Sequence, residues 1–340
     1  MRKFWRSLFF TACMSCIGFT VFTPSASAQT PIKLNYSVFF PASHIHSVLA
    51  VEWGKELEKR TNGRVKVDVL PGGTLTPADK CYDGVEKGIS DLGMSVFAYT
   101  RGKFPLTEVI DLPLGIRSGL AATRLINDYY RTFKPKELDG VKVMFLHAHG
   151  PGLLHSKTAV NKLEDLKGMK VRCTGLATKI VTALGGTPVA MPMGETYDAL
   201  SRGVVDASMA PQESLNTWNW GEVVKFTTED FGASYSTGMF VVMNKERWNS
   251  LPPDIQKTIE KLNEEWIEKS GKGWDDIDKA GREATLKLGN KIISLSKEEN
   301  ERWAKTVRPL LDDYVNNMKS KGLPGDQVLK FAMDRLKSLR

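Results

Sequence analysis

The histidines of this 340-residue chain are unevenly spread: all five lie in HIH (His44, His46) and HAHGPGLLH (His147, His149, His155). Histidines at i and i+2 share one face of a strand, which is a route to metal coordination. At a helix start or a strand end the same residues would instead hydrogen-bond a loop or a ligand. A metal site would need four ligands drawn from two distant clusters, the His44/His46 and His147/His149 pairs. A second chemistry would pair a histidine with a carboxylate such as Glu213 as acid and base in a hydrolase or lyase. Nucleophile, metalloprotease, phosphate-loop and C-x-x-C patterns are missing after residue 28, and GGTL and GPG are glycine turns rather than dinucleotide fingerprints, so no cofactor is indicated. The third candidate is Arg172 in LKGMKVRCTG. Its guanidinium is a rigid fork that matches carboxylate or sulfonate oxygens two at a time. From spacing alone, an arginine is more often a solvated surface group.

The elements around these residues follow a βαβ rhythm. IKLNYSVFF reads as a strand, and SHIHSVLAVEWGKELEKRTNG as a helix with Ser43 as its cap and Gly63 at its end. RVKVDVL alternates as a second strand, PGGTL turns the chain, and a helix to Lys87 precedes the short strand ISDLGMSV. The rhythm restarts after HAHGPG: LEDLKG is a short helix or turn, MKVRCT a strand, ATKIVTALGG a helix, PVAMP a strand, GETYDALSRG a helix and VVDASMA a strand. Such alternation predicts largely parallel sheets covered by helices. FGASYSTGMFVVMNKERW then reads as a strand crossing back. The run 250–289 is a long helix with Ser250 as cap and Pro252 and Pro253 in its first turn, and Ile255, Ile259, Leu262 and Trp266 fall on one face. It is long enough to brace two lobes, and Gly271 and Gly273 are expected to let it bend. A further helix starts after Ser296.

One segment is written nearly twice. YDGVEKGISDLGMS (82–95) and YDALSRGVVDASMA (197–210) stand 115 positions apart and share Tyr82/Tyr197, Asp83/Asp198, Gly88/Gly203, Asp91/Asp206 and Met94/Met209. Each reads as a helix, a glycine that ends it in the left-handed conformation, and a buried strand. One copy in each half predicts two similar α/β lobes. Ligands of open α/β sheets bind beyond the carboxyl ends of the strands, so facing lobes would share a cleft.

The first 28 residues differ from the rest. A basic MRKFWR, an apolar run of about 16 residues and a small-x-small end at Ala26-Ser27-Ala28 form a secretory signal peptide, with cleavage expected after Ala28. The run is short for a membrane span. Cys13 and Cys16 lack a lipobox. Losing Arg2, Lys3 and Arg6 lowers the formal net charge from +8 to +5. That mild, dispersed charge suits anionic solutes and argues against nucleic acid. Cys81 and Cys173 remain, and are expected as buried thiols rather than a bridge.

The runs LEDLKGMKVR, ALGGTPVAMPMGETYDALSRGVVDASMAP and FGASYSTGMFVVMNKERWNSLPPDIQ resemble the DctP-type solute-binding proteins of TRAP transporters, a likeness that covers the mature chain. The resemblance implies a two-lobed periplasmic-binding-protein fold with crossing strands and a helix spanning both lobes. It further implies a monomer without catalysis that hands its solute to the integral membrane subunits of the transporter. In that family the arginine closing the motif, here Arg172, binds the carboxylate of an organic acid. The sequence departs from the sialic-acid branch at Ala210 and in GPGLLHSKT, where that branch has an asparagine and a second arginine. Lobe I is expected as 29–149 plus about 239–276, and lobe II as 150–238 plus about 277–340. Around Arg172 the expected ligand contacts are Phe39, His44, Tyr82, Tyr99, His149, Ser208, Met209, Glu213 and Trp218. The expected solute is a hydroxy or keto acid, an aromatic acid or a sulfonate.

Overall fold

The computed structural model describes residues 30–339; the leader, its cleavage point and its two cysteines lie outside them. The chain runs β1 (Ile32–Val38), α1 (Ile45–Arg60), β2 (Val65–Leu70), α2 (Cys81–Glu86), β3 (Leu92–Val96), α3 (Gly119–Phe133) and β4 (Val141–Ala148). It continues through β5 (Leu153–Ser156), β6 (Lys170–Cys173), α4 (Ala177–Ala183), β7 (Thr187–Ala190), α5 (Met193–Ser201), β8 (Ala207–Ala210), α6 (Ser214–Thr217) and β9 (Phe226–Glu229). The last stretch is β10 (Gly238–Asn244), α7 (Lys245–Asn249), α8 (Pro253–Lys287), β11 (Lys291–Ser294), α9 (Lys297–Val307), α10 (Pro309–Ser320) and α11 (Gly325–Ser338). Two sheets result, with strand orders β2-β1-β3-β10-β4 and β11-β9-β5-β8-β6-β7. In the first, β1 pairs in parallel with β2 and β3, and β10 returns antiparallel between β3 and β4. In the second, β6 pairs in parallel with β7 and β8.

The repeated segment is a device for joining helix to parallel strand. Gly88 and Gly203 both sit at positive φ, +72° and +74°, where a Cβ would be strained. The aspartate after each does the same job in both sheets. Asp91 Oδ2 accepts the backbone N–H of Asn35 on β1 at 2.8 Å, and Asp206 Oδ2 accepts that of Lys170 on β6 at 2.9 Å. Each carboxylate therefore locks its strand to the parallel neighbour, and Met94 and Met209 carry each strand into an apolar core. This sets β3 and β8 in equivalent places.

The connections β4 to β5 and β9 to β10 pass between the sheets, as does α8 on the way from β10 to β11, and Gly152 and Tyr235 of the first two meet as a bridge. A Cβ on Gly152 would lie 2.3 Å from the Tyr235 ring, so only glycine fits. Helix α8 packs on α1, α3 and β4 of the first half and on α6 and β11 of the second. Its indoles reach neighbouring backbone and side chains: Trp266 Nε1 donates to Leu49 O at 2.8 Å, and Trp274 Nε1 to His147 Nδ1 at 3.0 Å. Asp275 of α8 accepts the Gly119 N–H at 2.6 Å, placing negative charge on the N-terminus of α3.

Five sequence expectations change. Ser250 ends α7, and Pro252 rather than Ser250 stands at the cap of α8. His44, not Ser43, caps α1, its Nδ1 accepting the His46 N–H at 3.2 Å. Helix α8 runs unbroken through Gly271 and Gly273. Gly271 serves close packing, since a Cβ there would lie 2.9 Å from the Leu120 Cα of α3. The helix expected after Ser296 divides at Arg308, because Pro309 has no N–H to continue the ladder. Finally, β11 and α9 lie with the second sheet, whereas α10 and α11 return to the first half. There Tyr314, Met318, Val328 and Leu336 join the apolar cluster around α3, and Tyr314 Oη donates to Leu106 O at 2.8 Å. Their apolar stripes complete that core, so the tail follows hydrophobic burial rather than chain order.

Gly271→Ala is expected to destabilise the protein by a net of about 1–2 kcal/mol. The collision with the α3 backbone outweighs the roughly 1 kcal/mol that alanine adds to helix propensity. Denaturant unfolding checks this, and an unchanged or raised stability would show that the helices have room to separate.

Candidate ligand-binding site

The carboxyl ends of the parallel strands in both sheets converge on one hollow. Phe39 and Phe40 follow β1, Val96 ends β3, Tyr99 lies just beyond it, and Met239 opens β10. From the other sheet come Arg172 on β6, Thr174 after it, Met193 after β7, and Met209 to Glu213 at the end of β8. His149 and Tyr235 come from the crossing segments, and Trp274 from α8. The lining is mostly aromatic and thioether, with few polar groups.

Arg172 is 2% exposed. Its Nε and Nη2 donate to Met191 O at 3.0 and 2.8 Å, and Nη1 to Met193 Sδ at 3.3 Å. The indole of Trp220 lies 5.7 Å from the guanidinium carbon. Every one of these partners is neutral, and no ion pair to Arg172 forms among the described residues. A guanidinium has five N–H donors. Three are engaged, one of them with a soft sulfur, and the Tyr99 hydroxyl also lies within hydrogen-bonding reach of the group, so all of its partners are neutral. A buried charge without a counter-charge is costly, and an anion with two oxygens would offset that cost.

The one acidic group among the described residues of the wall, Glu213, holds its proton near pH 7. Burial pushes the Glu213 carboxyl up to about 8. Its Oε2 accepts the Thr217 hydroxyl and lies 3.5 Å from His44 Nε2, while its N–H is held by Asp278 Oδ1 at 2.9 Å. Burial also lowers His149 to about 4 and His44 to about 3, so both rings are neutral near pH 7. Arg172 is thus the single charge in an otherwise apolar hollow.

The structure brings Arg172, Phe39, Tyr99, His149, Met209 and Glu213 to this wall. His44 and Trp218 stand behind it: the His44 ring stacks on Phe40 with centroids 3.9 Å apart, and Trp218 stacks on Phe39 at 6.4 Å. Tyr82 is elsewhere, packed edge-on between Phe104 and Phe240 in the core of the first half. Ser208 faces Arg172 in register across β6 and β8, but its hydroxyl is sealed in without a partner and does not reach the hollow. The missed lining residues include Thr174, Met193, Tyr235, Thr237, Met239 and Trp274. Thr174 lies two positions past Arg172, and the others come from segments whose approach depends on the crossing of the halves.

The histidine pairs do not converge on a metal. His46 lies in α1, its ring stacked on His147 at 4.5 Å, and His147 Nδ1 already accepts from Trp274. Among the described residues no group of three or more His, Cys, Asp or Glu is disposed to hold a metal ion. Cys81 and Cys173 are both buried free thiols. Contacts bridge the hollow: Met193 N–H donates to Tyr99 Oη at 3.1 Å, and the His44–Glu213 approach joins the two halves.

Two α/β halves joined by crossing connections and a spanning helix, with an unpaired cation in the hollow between them, define a solute-binding protein. The chain belongs to the DctP family, bacterial extracellular solute-binding protein family 7, whose pattern matches residues 36–317. A TRAP periplasmic solute-binding protein of Desulfovibrio salexigens, solved as an open complex, is 35% identical and superposes with a TM-score of 0.80 over 90% of this chain and 95% of that one. A TRAP solute-binding protein of Rhodoferax ferrireducens in complex with copurified benzoate is 28% identical, with a TM-score of 0.84 over 91% and 98%. A marine-metagenome TRAP solute-binding protein specific for aromatic acid ligands, in complex with metahydroxyphenylacetate, is also 28% identical, with a TM-score of 0.87 over 91% and 99%.

The buried carboxyl groups give stability a pH dependence with a defined sign. Glu213 titrates near 8 when folded and near 4.5 when unfolded, so the folded chain holds a proton that the unfolded chain releases between those values. Stability therefore falls as pH rises through that window. Asp230, raised to about 7, acts in the same direction. The buried histidines, lowered from 6.5, act oppositely but only below that value. Between pH 6.5 and 8 the melting temperature is expected to fall, and Glu213→Gln to make that decline shallower. Thermal melts across this range check it; equal slopes for the two proteins would contradict the assignment.

Proposed function

We propose that the chain captures a small organic anion, a monocarboxylate with an aromatic or similarly apolar body, and delivers it to the integral membrane subunits of a TRAP importer. The observation that carries this reading is Arg172: a buried guanidinium whose partners are all neutral, which leaves its charge for two acid oxygens. Protonated Glu213 does not compete for that charge. The rings of Phe39, Phe40, Tyr99, Tyr235 and Trp274 suit a flat apolar body. Benzoate and metahydroxyphenylacetate, held by the relatives above, belong to that chemical class.

Capture follows from contacts that exist only when both halves touch the solute, which shifts the protein toward the closed arrangement. The Tyr99–Met193 hydrogen bond already joins the two sides of the hollow. The same reading has the chain exported, its leader removed after Ala28, and working as a periplasmic monomer without a cofactor. No helix of the described residues is long and apolar enough to cross a membrane. No chemistry is asked of the site, so a bound acid is expected to be recovered unchanged by mass analysis; a transformed product would point to the hydrolase or lyase alternative.

Arg172→Lys is expected to weaken binding by about 2–3 kcal/mol, because the charge stays while the two-pronged geometry is lost. The ligand for this test is the acid identified by native mass spectrometry of the protein with its copurified solute. Calorimetry giving an affinity within twofold of the unaltered protein would defeat the assignment.

A further inference from the structure

His149 stands where β4 leaves the first sheet, and its ring forms part of the wall of the hollow. Its Nδ1 lies 2.6 Å from Gly150 O. A carbonyl oxygen only accepts, so Nδ1 carries the hydrogen, and in the neutral ring Nε2 is a bare acceptor. The Nε2 atoms of His44, His46 and His147 are sealed in without partners; that of His149 is not among them. No described residue donates to His149 Nε2, which leaves it facing the hollow. The ring is held in place: Tyr235 meets it edge-on with centroids 5.7 Å apart, and the His149 carbonyl accepts the Ser236 hydroxyl at 2.6 Å. Flipping it would break the bond to Gly150.

The neighbouring groups have other duties. Tyr235 Oη donates to Met209 O at 3.1 Å, and Tyr99 Oη accepts from Met193. Arg172 is close enough for its charge to add to the effect of burial in keeping His149 neutral. Both residues line the hollow, which therefore holds a fixed acceptor and a donor fork within one cavity. A solute that satisfies both carries a hydrogen-bond donor next to its carboxylate.

We infer that His149 Nε2 is a specificity-determining acceptor that selects 2-hydroxy acids, with the hydroxyl donating to it while Arg172 holds the carboxylate. This rests on the anion-binding reading above. A 2-keto acid of the same shape would set its carbonyl oxygen against the Nε2 lone pair, leaving both unpaired in a buried site. Sites built to bond a hydroxyl reject analogues that cannot supply it far more strongly than apolar pockets reject size differences.

The test is calorimetry on the mature protein, freed of copurified solute by reversible unfolding. The probes are (R)-mandelate, (S)-mandelate, phenylacetate, phenylglyoxylate and benzoate. One mandelate enantiomer is expected to bind at least about 10-fold more tightly than phenylglyoxylate. His149→Gln places an amide that both donates and accepts, and should bring the two within about 3-fold while still binding acids. His149→Leu, which has no acceptor, should also lose the preference. Binding of mandelate and phenylglyoxylate within twofold by the unaltered protein overturns the inference alone, provided the acids bind. Retention of the full preference by folded His149→Gln or His149→Leu also overturns it. Failure of all five probes to bind overturns the aromatic-acid reading, and the inference with it.

Discussion

A charge that the protein does not neutralise governs the whole arrangement. Arg172 is enclosed by a carbonyl, a thioether and an indole, none of which returns its charge. Such a group is tolerable only where the fold pins it firmly. The pin is β6, zipped in parallel between β7 and β8, with Met191, just past β7, supplying its carbonyl oxygen as the anchor. The carboxyl of Glu213, which could have cancelled the charge, is instead kept neutral by burial and engaged with Thr217. Selectivity for anions then needs no broad positive surface, since one cation in a medium that screens poorly suffices.

The fold was readable because its punctuation is local. Gly88 and Gly203 take a backbone conformation that other residues resist, and the aspartates that follow reach only one strand away. Strand, helix and turn signals of this kind survive in sequence without knowledge of what packs where. The crossing of the halves also left a trace, in the apolar run that became β10. Less visible were the short β11 and the destination of α10 and α11, which depend on a distant apolar face around α3.

The site was readable in part, and the failures share one cause. Tyr82 occupies the same place in the repeat as Tyr197, yet one is buried between phenylalanines and the other hydrogen-bonds Glu222 near the surface. Residue type and local position were alike; the surrounding layer was not. Ser208 shows the same limit, sharing register with Arg172 but lacking the length to reach the hollow. The histidines diverge further. His155 bridges Thr227 and Ala210 O within the second sheet, His147 receives the Trp274 indole, and His44 caps a helix. Clustering in sequence suggested a shared metal, whereas their partners give each ring a separate task.

The hydrogen bond from the Met193 amide to Tyr99 Oη has a kinetic corollary. Met193 also rests its sulfur on Arg172, so one residue touches both the guanidinium and the opposite rim. Disturbing the guanidinium disturbs that clasp, and opening the clasp loosens the grip on the guanidinium. On the reading proposed above, the dwell time of a captured molecule and the rate at which the two rims part would be set by one short segment, Met191 to Met193, rather than by two independent ones.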